Sequence, residues 1–587
     1  MAAYSVDGGP VEYVEGEDAV LRVPGLFDAG VLKVAHNAQF ERVVLSEAAR
    51  RAGLLAEGEF MDPREWDDTM ALAAEWGLPL DLAGLAEWLG GAKKDSAGTL
   101  LINFFSKPNR RRERNLPESA PEKWEAFAAY CRQDVVALRG IWRAIPSWPT
   151  ETEREVWLAD QRINDRGVKV DVRLATAAEE AAGDNRLAQE VEMSMLTGLD
   201  NPGSTVQLLG WLRANGVDVL DVTKETVERA LARDDLTTTQ RRVLELRQEL
   251  ALVASKKFTS VLAGVSRDGR LRGQFRFYGA HTGRWSGRGV QLHNLPRLGF
   301  PDDATANAAI VDVLGGFGAD AETLKRLVRP LLLGPFTVVD YSAIEARVLA
   351  WLAGEEWALE AFREGRDLYV ETADRMTAEV AHGGRAFTRK DGKVAVLALG
   401  YNGGVNSLRA MGAEGADAEL QVIVDLWRRA NPSIVSFWRE LGEAFMHGGT
   451  AGKVSVQTDG DVRHILLPSG RSLVYRGFAV RTEDSQFGPR RVATFRDVRR
   501  GGARVKTYGG RLAENVTQAV ARDVLAEALL RIPQTVVGHV HDEILVEVVA
   551  KHSVQSVAAA MTEPISWARG LPLGAAGFTT DRYRKEY

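Results

Sequence analysis

The stretch VVGHVHDEILVEV, residues 537–549, limits the fold of this chain more than any other. Two arms rich in Val, Ile and Leu favour strands, and the polar break between them favours a tight turn. The segment is therefore expected to be a β-hairpin with His541, Asp542 and Glu543 at its tip. Side chains at such a tip stand clear of the sheet, and two adjacent carboxylates there make a place to hold a cation.

A second carboxylate closes another strand-like run. FTVVDYSAIEARVLAWLAGEE, residues 336–356, reads as an apolar strand ending at Asp340, followed by a helix. Asp340 fits two roles, a metal perch at a strand end or a cap for the helix, and aspartate often caps. If the two strands are neighbours, Asp340 and Asp542 would repel: carboxylates about 4 Å apart at an effective dielectric near 20 cost about 4 kcal/mol. That arrangement calls for a divalent cation, and two Mg²⁺ ions on such a pair suit phosphoryl transfer. A third segment, RKDGKVAVLALGYNGG, spaces Arg389, Lys393, Leu397 and Tyr401 four residues apart. On a helix they share one face, along which a triphosphate could meet the two cations and a base could meet Tyr401.

At 587 residues the chain exceeds one core and should form at least three domains. Its 45% hydrophobic and 26% charged content is ordinary for a soluble globular protein. The sequence has no apolar run of membrane length and no basic-then-apolar start, so no membrane partner and a cytoplasmic location are expected. The single cysteine, Cys131, excludes an internal disulfide and a cysteine zinc site; a buried bystander is expected. The net charge of −6 hides a local asymmetry: residues 451–511 hold 13 Lys or Arg against 5 Asp or Glu, a net of +8 that leaves −14 for the remainder. Gly and aromatic residues interleave with these arginines, which suits either phosphate contact or a solvated charged face.

Residues up to about 149 begin with a hairpin signal, AAYSV and PVEYV around Asp7-Gly8-Gly9, and continue in helical periods; SWPT before Glu151 marks a boundary. A long charged helical region extends from there to about 266. Strand signals return in LRGQFRFYG, helices cover roughly 351–449, and the rest is mixed and Arg-rich.

The segments at Asp340, Arg389 and Asp542 resemble motifs A, B and C of the family A DNA polymerases, the DNA polymerase I type, most closely the compact phage-encoded members. HTGRWSGRGVQLHNLPR (281–297), GRDLYVETA (365–373), LPSGRSLVYR (467–476) and TYGGRLAENVTQAVARDVLAEAL (507–529) extend the likeness in order along almost the whole chain. The resemblance implies an α+β multidomain right-hand polymerase that adds deoxynucleoside triphosphates to a primer in phage replication. A thumb would cover about 173–265, the palm about 266–350 and 451–587, and the fingers about 351–450, all within a polymerase domain from 150 to 587. Asp340 and Asp542 would hold two Mg²⁺ ions, or Mn²⁺ in their place, with the Tyr341 carbonyl helping and Glu543 in support. Arg389 and Lys393 would bind the triphosphate, and Lys393 would protonate the departing pyrophosphate. Glu345 would crowd the sugar 2′ position, Tyr401 would stack near the templating base, and Arg284, Asn515, Gln518 and His541 would track the primer terminus and minor groove. Leu397 stands where many members carry an aromatic residue, so discrimination against dideoxynucleotides does not carry over. Partners would be primer-template DNA, dNTPs and replication accessory proteins, with the chain a monomer.

Residues 1–149 resemble the ribonuclease-H-like 3′-5′ exonuclease domain of the same family. AHNAQFE matches its second motif, with Glu41 in the usual Asp place, and YCRQD its third, with Tyr130 and Asp134. The first motif, a strand bearing Asp-x-Glu, is missing; EGED at 15–18 reads as a solvated turn. The expectation is a domain lacking its first strand, an upstream start beyond Met1, and impaired editing. Two rivals remain open: a single-subunit RNA polymerase, disfavoured by Glu345 and Glu543, and a catalytically silent DNA-binding replication protein, disfavoured by intact Asp340 and Asp542.

Overall fold

The structure, a computed structural model, describes residues 1–16, 18–91, 98–107, 113–250, 254–380, 386–485, 488–532, 535–548 and 553–585. Residue 17 of the EGED stretch and residues 251–253 of the helical region lie outside these.

The expected hairpin forms. Strand Val536–Val540 turns through His541 and Asp542 into Glu543–Glu547, with Val540 opposite Glu543. The returning strand pairs antiparallel with Leu332–Tyr341, so the two strands argued to be neighbours are neighbours. The order across this sheet is Val536–Val540, Glu543–Glu547, Leu332–Tyr341, Val168–Val170, Arg270–Leu271, with Ala575–Arg582 also pairing along Leu332–Tyr341. Val338, Val339, Ile544, Leu545 and Val546 are all buried, which explains why these strands read as apolar runs rather than clean alternations. LRGQFRFYG yields only the two-residue strands Arg270–Leu271 and Phe275–Arg276, because Gly273 between them takes φ 64 and breaks the ladder.

Residues 449–507 form a separate six-stranded antiparallel sheet in sequence order, from Gly449–Ala451 to Ala503–Thr507. The helix Gly509–Arg531, packed against the helices Pro432–His447, Ile344–Ala353 and Glu151–Arg166, is buried nearly all round. A helix starts just after SWPT: the Thr150 hydroxyl accepts from the Glu153 amide at 3.1 Å, Glu151 and Glu153 meet the positive helix end, and Gly167 at φ 60 ends the helix Glu151–Arg166.

The helical region keeps a core of its own around Met193, Leu208, Leu212, Val243 and Leu246. The N-terminal unit does not stand apart in this way, since Ala35, Ala38 and Trp66 belong to the same continuous core as the central sheet. Its strands form two small sheets, Ala2–Tyr4 with Glu12–Val14 and Lys33–Ala35 with Trp66–Asp68. Cys131, expected to be buried, is only half-buried, on the helix Pro121–Ala144. Among the described residues no helix is long and apolar enough to cross a membrane.

Candidate active site

Asp340 and Asp542 meet at one end of the central sheet. Asp340 lies on the middle strand with Glu543 across from it on one side and Ala576 on the other, and the Tyr341 amide donates to the Asp542 carbonyl at 3.1 Å, fixing the turn beside the strand end. The turn itself is strained: His541 takes φ 60, at the loop position where a two-residue hairpin favours glycine. Asp340 does not cap the helix after it. Ala343, in the left-handed region, holds that place before Ile344–Ala353, and Asp340 is left free for other work.

The electrostatics match that role. Asp340 keeps 45% of its side chain open to the cleft, yet its Oδ1 is sealed from solvent and has no hydrogen-bond partner. Loss of solvation, and then the adjacent Asp542 charge, push the Asp340 carboxyl up to about 7; burial raises Asp542 as well. Solvent on the open side tempers the rise without reversing it. An orphaned oxygen on one of two crowded carboxylates fits a divalent cation. Glu543 is not a third member of the group: it is 2% exposed, and both its oxygens are occupied, by the Tyr583 hydroxyl at 2.6 Å and Lys585 Nζ at 2.9 Å. Among the described residues no three His, Cys, Asp or Glu side chains converge as a ready metal cage.

The helix Arg389–Leu399 starts with a capping box in which Thr388 and Asp391 satisfy each other's backbone amides. Arg389 Nε donates to Asp367 at 2.7 Å with its guanidinium over the Tyr369 ring, and Lys393 stands exposed one turn on. One expectation about this helix needs correction. Tyr401 is not on it, because the helix ends at Leu399 and Asn402 turns to φ 61. Leu397, half exposed, does share the open face with Arg389 and Lys393, and the buried face is Gly392, Ala395, Ala398 and Leu399. From its place past the helix Tyr401 donates to Glu345 at 3.1 Å, and Glu345 also accepts from Arg284 at 2.5 Å. That bridge ties the 281–297 segment, the helix after Asp340 and the turn after Leu399 into one wall.

Asn515 donates to the Tyr475 hydroxyl at 2.8 Å and Gln518 to Glu514 at 3.2 Å, both on the long helix Gly509–Arg531. His541 packs edgewise on His293 at 5.4 Å, and burial pushes its imidazole below the ordinary range while Asp542 pulls the other way. The basic window is spent partly inside. Arg471 and Arg463 are buried, the former on Asp523 and Tyr278, whereas Arg481, Arg490, Arg491, Arg496 and Arg500 remain exposed.

In the N-terminal unit Glu41 has a buried, unpartnered Oε2, and burial, reinforced by Asp68, raises its carboxyl to about 8. Tyr130 and Asp134 lie four residues apart on Pro121–Ala144, with the Tyr130 ring stacked on Phe127. Asp68, which the sequence did not single out, accepts the amides of Asn37, Ala38, Met70 and Ala71, so it organises the local backbone.

The sequence profile of DNA polymerase family A matches residues 180–457. The DNA polymerase of Bacillus phage SP02 is 39% identical over 630 aligned residues, which cover 100% of this chain and 95% of that protein. The thermostable DNA polymerase I of Thermus thermophilus is 27% identical over 317 residues, 52% of this chain and 32% of that one. Among solved structures, the POL domain of Pol1 from M. smegmatis in complex with DNA primer-template and dNTP superposes with a TM-score of 0.55 at 17% identity, covering 94% of this chain and 86% of that one. The chain belongs to DNA polymerase family A. It is a template-directed DNA polymerase, similar along its whole length to the phage SP02 enzyme, and the family match decides for DNA synthesis over the RNA polymerase and silent-scaffold readings.

Proposed function

We propose that Asp340 and Asp542, with the Tyr341 carbonyl, hold two divalent cations, Mg²⁺ or Mn²⁺, at the primer terminus. The observation that carries this reading is the unpartnered Asp340 Oδ1 beside the Asp542 turn. Such ions, when bound, supply the positive charge that favours attack by the primer 3′ oxygen and departure of pyrophosphate. Arg389 and Lys393, on the exposed face of one helix, bind the triphosphate, and Lys393 Nζ gives a proton to the leaving pyrophosphate. Glu345, held between Arg284 and Tyr401, walls off the 2′ position of the sugar and so selects dNTPs. Tyr401 meets the templating base, and Arg284, Asn515, Gln518 and His541 track the primer-template minor groove. Leu397, half exposed beside Lys393, takes the place next to the incoming sugar.

In this reading the central sheet with the 451–587 region is the palm, about 351–450 the fingers, and the separately cored helices of about 173–265 the thumb, serving phage DNA replication in the host cytoplasm. Residues 1–149 are a ribonuclease-H-like exonuclease unit with Glu41, Tyr130 and Asp134 as its remnant, and editing is weak because no Asp-x-Glu motif precedes Asn37 to supply the other metal-binding carboxylates. Primer extension tests the assignment: Asp542→Asn or Asp340→Asn should reduce Mg²⁺-dependent dNTP incorporation by about 10³-fold or more. Wild-type rates in either variant would refute it.

A further inference from the structure

Glu543 lies directly across the antiparallel ladder from Asp340, and residues so paired send their side chains to the same face of a sheet. Nothing in the strands prevents Asp340, Asp542 and Glu543 from converging on one ion. The end of the chain prevents it. After the strand Ala575–Arg582, which runs along the other side of the Asp340 strand, residues 583–585 turn back beneath the site. Tyr583 is wholly buried, its ring under the Arg329 guanidinium at 5.0 Å, and its hydroxyl donates to Glu543 Oε1 at 2.6 Å. Lys585 Nζ donates to Glu543 Oε2 at 2.9 Å and lies 3.9 Å from Asp340 Oδ2.

We infer that this strap, Tyr583 to Lys585, is a positioning element that ties Glu543 off from the metal pair and thereby sets how tightly Asp340 and Asp542 hold a divalent cation. Two effects act in the same sense. Glu543 is withheld as a ligand, and the Lys585 ammonium beside Asp340 repels an incoming dication. With Lys585 gone, one competing charge disappears and Glu543 Oε2 loses its partner, while Tyr583 still holds Oε1. The inference rests on the proposed metal pair and predicts an effect opposite to ordinary damage at a site: loss of the side chain tightens binding.

The test is a calorimetric Mn²⁺ titration of the full chain without DNA, so that the readout is metal affinity and not turnover. Lys585→Ala is expected to bind Mn²⁺ at least threefold more tightly than the parent, Tyr583→Phe to shift in the same direction, and Lys585→Arg, which keeps the charge and the pairing, to stay within twofold. Asp542→Asn is the control and should lose binding. If Lys585→Ala binds no more tightly while Asp542→Asn loses the metal, the strap inference is overturned and the metal pair stands. If Asp542→Asn binds as the parent does, the metal pair itself falls and the strap inference with it. Should Lys585→Ala fail to fold by circular dichroism, Lys585→Gln, close in length, takes its place under the same criteria.

Discussion

A carboxylic acid sealed from water prefers to keep its proton, and at the scale of single residues Glu41 is the clearest case. Its charged neighbour is another acid, Asp68, and its carboxyl is raised from 4.5 to about 8. The folded state therefore binds a proton that the unfolded state releases. The stability this allows is fully present below pH 4.5 and is lost as the pH rises through 8. Glu41→Gln, which cannot ionise, should unfold at the same denaturant concentration as the parent near pH 4.5 and be more stable by roughly 1–3 kcal/mol above pH 8. Denaturation curves at the two pH values check the sign. The same physics separates the residues that could be read from the sequence from those that could not. That Asp340 and Asp542 come side by side was legible because each stands at the edge of an apolar run that reads as a strand, and the two strands prove to be neighbours. Tyr583 and Lys585 were not, because TTDRYRKEY carries no periodicity and its contacts with Glu543 are made only once the final strand pairs beside Asp340.

Among elements, the helix Gly509–Arg531 depends on the pair of glycines at its start. A Cβ on Gly509 would lie 1.8 Å from the Trp438 carbonyl oxygen, and one on Gly510 would lie 2.5 Å from the Tyr401 carbonyl oxygen and from Asn402 Cβ. The helix thus begins in direct backbone contact with the turn that carries Tyr401. Gly510→Ala has to move that turn, so it should raise the KM for dNTPs several-fold and cost about 1–3 kcal/mol of stability. An unchanged KM at matched stability would argue that the turn is not part of the nucleotide pocket. Spacing alone made the Arg389 helix legible but misplaced its end. A four-residue repeat cannot show that the chain leaves the helix at Gly400 and passes through a left-handed Asn402 before Tyr401 reaches Glu345. Charge counts in the basic window are limited in a related way: they do not distinguish arginines that face solvent from Arg471, which is closed over by Asp523, Tyr278 and Thr282.

Across the whole molecule the regions meet at Arg522. It is fully enclosed, donates to Glu153 at 2.6 Å and to the Gly283 carbonyl at 3.1 Å, and lies beside Asp523, which in turn holds Arg471 and Ser469. One guanidinium therefore joins the helix after the SWPT boundary, the 281–297 segment that carries Arg284, and the long helix that carries Asn515 and Gln518. Removing one partner from a buried ion network leaves the others charged and unpaired, so Arg522→Ala should cost about 3–5 kcal/mol, and Arg522→Met less, as it refills the space. Equilibrium unfolding in urea measures both.

The N-terminal unit is held to this same body. Arg42 is buried against Gln161, Asp165 and the Met61 carbonyl, and Arg288 reaches back to Gln39 at 3.0 Å. A genetic excision at the SWPT junction would remove Trp148, whose ring lies 5.7 Å from that of the buried Trp157, and would take Arg42 away from Asp165. The shortened product should therefore unfold at a lower urea concentration than the full chain, because the first 149 residues share their core and the Arg42 contacts with the body that carries Asp340 and Asp542.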